Sequence, residues 1–131
     1  MKLAKTALIG VLFVVIGACQ ESIEDRAARE VVEHTMKTCP LEIAPGLTND
    51  SITFDRKTRT VQYHFTMHGG IDGARVDTVA ARARLRRLVD NATNLRAYKD
   101  AGFVFRYTYY SEGDGRRVLD FTIDDKKDGN R

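Results

Sequence analysis

The sequence predicts an α+β domain of order α-β-β-α-β-β, a four-stranded, mainly antiparallel sheet with two helices on one face. Three observations carry that prediction. Apolar residues at three-to-four spacing mark two helices, at residues 21–38 and 75–98. Two segments after each helix alternate apolar and polar side chains, the period of strands with one buried face. Each pair of segments is joined by a short polar turn and so reads as a hairpin.

In the first helix, Ile23, Ala27, Val31 and His34/Thr35 form the apolar stripe, with Ala28 alongside. Glu21, Glu24 and Asp25 fall in its first turns, where negative charge suits the free N–H groups. Cys39-Pro40 and Pro45-Gly46 then break the pattern. The first hairpin is read at residues 51–55 and 60–68. Val61, Tyr63, Phe65 and Met67 alternate there with Gln62, His64, Thr66 and His68. The second helix carries Ala81, Leu85, Leu88, Ala92 and Leu95, widened by Val89. The second hairpin is read at residues 103–110 and 117–123 around Glu112-Gly113-Asp114-Gly115. Phe103, Phe105, Tyr107 and Tyr109 share one side of its first strand, and Leu119, Phe121 and Ile123 one side of its second. The expected core is Tyr63, Phe65, Phe105, Tyr107 and Phe121. The charged segment 124–131 is expected to fray.

The chain has 131 residues, 43% apolar and 30% charged, which fits one small globular domain. That balance excludes a disordered chain and a polytopic membrane protein. The net charge of +3 falls to +1 if Lys2 and Lys5 leave with residues 1–18, so charge gives no support to a nucleic-acid partner.

Residues 7–18 are twelve apolar residues without a charge, preceded by Lys2 and Lys5. A membrane-spanning helix needs roughly 20 such residues, so this run suits a secretory signal peptide. Ile16-Gly17-Ala18-Cys19, an aliphatic residue and two small ones before cysteine, resembles the lipobox of bacterial lipoproteins. The resemblance implies cleavage before Cys19, a diacylglyceryl group on its thiol and acylation of the new amino group. Buried acyl chains contribute ~0.8 kcal/mol per methylene, so two or three hold firmly. Gln20, where an aspartate would favour inner-membrane retention, implies the outer membrane, facing the periplasm. The organisation expected is a signal peptide at 1–18, a lipidated tether at 19–22, one domain at 23–124 and a flexible tail at 125–131. The mature region also loosely resembles small bacterial envelope proteins, through the helix closing on Cys39-Pro40, the hairpin from Ile52 to Met67, and the run Phe103 to Tyr110. That resemblance carries no activity.

With Cys19 acylated, Cys39 has no partner within the chain. It reads as a half-buried thiol acting as a small apolar residue, or as one half of an intermolecular disulfide. Glu33 and His34 lie near it in sequence, but nothing marks them as a catalytic pair.

The chain lacks Gly-x-Ser-x-Gly, a phosphate loop, Gly-x-Gly-x-x-Gly and Cys-x-x-Cys, and no motif calls for a cofactor. The glycines of residues 68–73 read as a plain turn rather than a phosphate nest. His64 and His68 would stand ~13 Å apart on an extended strand, too far to share zinc, so no metal site is expected. Gln62, His64, Thr66, Arg106, Thr108, Tyr110, Asp120 and Thr122 should point away from the helices. They form either a solvated sheet face or a flat recognition surface anchored by Tyr110 and Arg106. Residues 74–99 carry +5 and residues 19–42 carry −3. Either the two helix flanks neutralise each other, or Arg75, Arg82 and Arg86, within ~40° on one flank, form a basic ridge for an acidic partner or anionic headgroups.

The leading expectation is a lipid-anchored, non-enzymatic module that binds another envelope protein. An inhibitor or immunity factor against a toxin or wall-cleaving enzyme is one alternative. A hydrolase using Asp120, His64 and Arg106 is the other.

Overall fold

The computed structural model describes residues 21–70 and 75–129. The leader, Cys19 and the second half of the glycine turn lie outside them.

Helix α1 (Ile23–Thr38) is capped by Ser22, whose hydroxyl accepts from the Asp25 N–H at 3.1 Å. Its stripe faces the sheet as expected: Ala27 is buried, and Ile23 and Val31 pack beside it. The sheet has five strands rather than the four expected. They are β1 (Leu41–Ala44), β2 (Leu47–Asp55), β3 (Thr60–Met67), β4 (Val104–Ser111) and β5 (Arg117–Ile123), in that spatial order. Neighbours pair antiparallel except β3 and β4, which run parallel. The extra strand β1 is four residues long, confined between two prolines, and exposed throughout. Nothing in its burial pattern could have marked it.

β2 starts at Leu47, not at residue 51. Asn49-Asp50 has the composition of a turn, but a bulge between Asn49 and Ser51 keeps the segment in the sheet. Beyond the reach of β1, the outer edge of β2 is covered by α1. The Thr35 hydroxyl accepts from the Ile52 N–H at 3.0 Å and donates to its carbonyl at 3.1 Å. A side chain thus takes the place of a neighbouring strand.

The helix expected over residues 75–98 is divided. Helix α2 (Thr78–Asn91), capped by Asp77, is followed by a 3-10 turn at Thr93–Leu95 and by helix α3 (Arg96–Asp100). Asn91, Thr93 and Asn94 are of residue types whose short polar side chains favour turns over a continuous helix. The stripe shifts accordingly: Val89 is fully buried, whereas Leu88 is 56% exposed and lies outside the core.

The strand phase is as expected. Phe65, Phe105, Tyr107 and Phe121 are buried, and Tyr63 is partly buried with its ring stacked 4.6 Å from that of Tyr107. The charged segment after β5 is helical as far as residue 128. Helix α4 (Asp125–Asp128) caps on Asp124, and Asp128 and Asp125 accept from Arg82 and Arg86 at 2.8 and 2.7 Å.

Candidate functional site

The sheet has one helix-covered face and one open face, so two surfaces compete as the site. On the open face, β3, β4 and β5 bring Gln62, His64, Arg106, Thr108, Tyr110 and Asp120 together. Arg106 grips Asp120 with two hydrogen bonds, Nε to Oδ1 at 2.9 Å and Nη2 to Oδ2 at 2.6 Å. Thr108 donates to Asp120 Oδ1 at 3.1 Å, and Gln62 donates to the Thr108 hydroxyl at 2.8 Å. The Arg106 guanidinium holds the Asp120 carboxyl below its ordinary range, with Thr108 and Arg117 adding to the effect. His64 Nε2 lies 2.9 Å from the Thr53 hydroxyl and its Nδ1 3.5 Å from that of Tyr110. Burial pushes the His64 pKa down and favours the neutral ring. Of the three residues of the hydrolase alternative, Arg106 and Asp120 pair with each other, and His64 makes its hydrogen bonds elsewhere. Asp120 is committed to Arg106 and Thr108, and His64 engages Thr53 and Tyr110.

Two of the three arginines of the expected basic ridge are ion-paired. Arg82 pairs with Asp128, and Arg86, with only 17% of its side chain exposed, engages Asp90, Asp125 and Asp128. Arg75 sits on the exposed lead-in to α2. The acids of α1 pair within their own segment, as in Glu30 with Arg26 and Glu21 with Arg29, or with the β2–β3 turn. There Asp25 meets Arg56, and Glu24 meets Arg59, each at 2.7 Å.

His68 engages Glu112 at 3.1 Å and Thr48 at 3.0 Å. Among the described residues, no group of three or more His, Cys, Asp or Glu is placed to hold a metal. Cys39 is a half-buried free thiol whose pKa burial and Asp50 raise, the opposite of an activated nucleophile.

The second surface is a half-open groove of about 230 Å³ between α1, the sheet and the chain from the 3-10 turn into α3. Val31, Ile52 and Leu95 make it apolar, Tyr63 floors it, and exposed His34 and Asn94 stand at its mouth. Asn49, placed there by the β2 bulge, is buried, and its Oδ1 has no hydrogen-bond partner among the described residues. Glu30 lines one wall. Burial opposes its charge most strongly, but Arg26, the Tyr98 hydroxyl and Arg29 together hold its carboxyl below the ordinary range. Sequence reasoning missed this groove. The α1 side was legible as a stripe, but Leu95 and Tyr98 reach it only because the chain turns after Asn91.

A mixed five-stranded sheet, helices on one face and a groove between them define a small α+β domain. The chain belongs to the family described as Domain of unknown function (DUF8479), whose model matches residues 22–119. No curated protein matches it. Among solved structures, it is similar to a protein of Pseudomonas aeruginosa described as secreted, at 14% identity and a TM-score of 0.63, covering 80% of this chain and 96% of that one. It is also similar to the pilotin EpsS of the Vibrio vulnificus type 2 secretion system, at 15% identity and a TM-score of 0.60, covering 77% and 86%. The pilotin AspS of the Vibrio cholerae type II secretion system matches at 16% identity and a TM-score of 0.57, covering 79% and 89%. At these identities the likeness is one of fold.

Proposed function

We infer that this chain is a non-enzymatic binding module of the bacterial envelope, held by acylated Cys19 to the outer membrane and facing the periplasm. It receives a segment of another envelope protein in the groove beside α1. The observation that carries the reading is the contrast between the two surfaces. The open sheet face has bound its own polar groups to one another, whereas the groove is half-open, joins Val31, Ile52 and Leu95 to polar residues at its mouth, and holds a buried acceptor, Asn49 Oδ1, with no partner among the described residues. A buried amide oxygen in that state costs about 1–3 kcal/mol, which an incoming N–H or O–H donor would relieve. The shared fold with two secretion-system pilotins supports the same class of role.

Affinity capture from solubilised envelopes tests this, using the full chain, a Val31→Arg groove variant and a Thr122→Lys sheet-face variant. The wild type and Thr122→Lys should retain the same envelope protein, and Val31→Arg should lose it. Retention by Val31→Arg would move the site away from the groove. Loss only from Thr122→Lys would move it to the sheet face.

A further inference from the structure

We propose that the segment received beside α1 binds in extended conformation, with the N–H and C=O of one residue paired to the Asn49 carboxamide and an apolar side chain against Val31, Ile52 and Leu95. This gives the kind of partner for the groove of the preceding reading, and it rests on that reading.

Asn49 lines the groove, is 8% exposed, and its Oδ1 has no partner among the described residues. Its burial asks for a donor, and the rest of the lining says which kind. Glu30 is the only carboxylate among the described residues that line the groove. Arg26 engages it at 2.8 Å, and the Tyr98 hydroxyl lies beside it. A cationic side chain entering here gives up its hydration and finds no free carboxylate, which is costly. A neutral amide carries no such penalty.

A carboxamide accepts at its oxygen and donates from its nitrogen. An extended residue turns its N–H and C=O to the same side, the pair that one strand exchanges with the next. The chain already makes such a match elsewhere, where the Thr35 hydroxyl holds both the N–H and the C=O of Ile52. A helix does not supply that pair. Its interior N–H groups bond its own carbonyls, and the free N–H groups of its first turn have no carbonyl beside them. A helix is also ~10–12 Å across, too wide to bring its backbone down to Asn49 in a groove of about 230 Å³. An extended chain with one apolar side chain is narrow enough.

The experiment follows the methyl groups of Val31, Ile52 and Leu95 and the side-chain amide of Asn49 by NMR, in the full chain held in phosphatidylcholine nanodiscs. Three probes are titrated: N-acetyl-leucine N-methylamide, the same compound methylated on its leucine nitrogen, and butylammonium. The first should shift all of these groups. Loss of the leucine N–H should weaken binding about tenfold, the equivalent of ~1.4 kcal/mol, and butylammonium should leave the groups unmoved. Asn49→Leu, which keeps a side chain of similar size without a polar atom, should bind the two leucine probes equally. Equal binding of those two by the wild type, preference for butylammonium, or no shift with any probe overturns the extended mode. The groove is judged separately, by whether Val31→Arg loses the captured envelope protein. Its loss together with equal leucine probes overturns the extended mode alone, whereas its retention overturns the groove and the extended mode with it.

Discussion

Single side chains set the stability of this domain at two kinds of position. Phe105, 1% exposed, fills the centre of the β4 core face. Phe105→Ala should cost roughly 3–5 kcal/mol in urea unfolding, a large part of a small domain's stability. A shift of a degree or two in Tm would contradict that placement. Thr35 matters through hydrogen bonding instead. Thr35→Val leaves both Ile52 backbone groups without their partner and should cost about 1–3 kcal/mol, while Thr35→Ser should be close to wild type. Asp120 gives a pH signature. Its folded pKa lies below the unfolded value of about 3.9. The pairing with Arg106 therefore adds stability above about pH 4 and loses it as pH falls through the folded pKa. Asp120→Asn should destabilise the domain near neutral pH, and the gap to wild type in denaturant midpoint should close in acid. A gap that stays constant with pH would remove Asp120 ionisation as its cause.

At the scale of elements, the contact between α2 and α4 separates two arginines that look alike in sequence. Arg86 is mostly buried and meets three carboxylates, whereas Arg82 has 44% of its side chain exposed and meets one. Arg86→Gln should cost about 1.5–3 kcal/mol, the range for charged hydrogen bonds. Arg82→Gln should cost about 0–1 kcal/mol. Thermal unfolding of both variants, with hydrogen exchange at residues 124–128, checks the order. Equal costs would mean that burial does not set the difference. Periodicity made α1, β3, β4 and β5 legible because each keeps one face on the core over two turns or more than five residues. β1 and the start of β2 were hidden: one is exposed on every residue, and the other bends at a bulge that Asn49-Asp50 disguises as a turn.

For the whole molecule, the prediction concerns where it is held. Cys19→Ser should leave the precursor uncleaved and abolish metabolic labelling with palmitate. A variant that is processed and labelled as before would refute the lipid anchor. No helix among the described residues is long and apolar enough to cross a membrane. In the proposed reading, the acyl chains attach the domain, and the short tether dictates which end of it meets the bilayer.

The sequence alone determined the types of α1, α2, β3, β4 and β5, their strand phase and the core aromatics, because alternation and helical spacing are local consequences of having one buried face. It also carried the lipobox resemblance, which depends on residue order and not on folding. Only the tertiary structure decided the rest. The parallel β3–β4 pairing places His64 beside Thr108 and Tyr110, and it brings the β2–β3 turn and the C-terminal turn to one end. The break after Asn91 turns Leu95 and Tyr98 toward α1 and so makes the groove. The same packing pairs two arginines of the expected basic ridge, since Asp125 and Asp128 reach Arg82 and Arg86 only when β5 ends against α2. Charges about 40 residues apart have no local signature, because their pairing is set by which elements the hydrophobic core draws together.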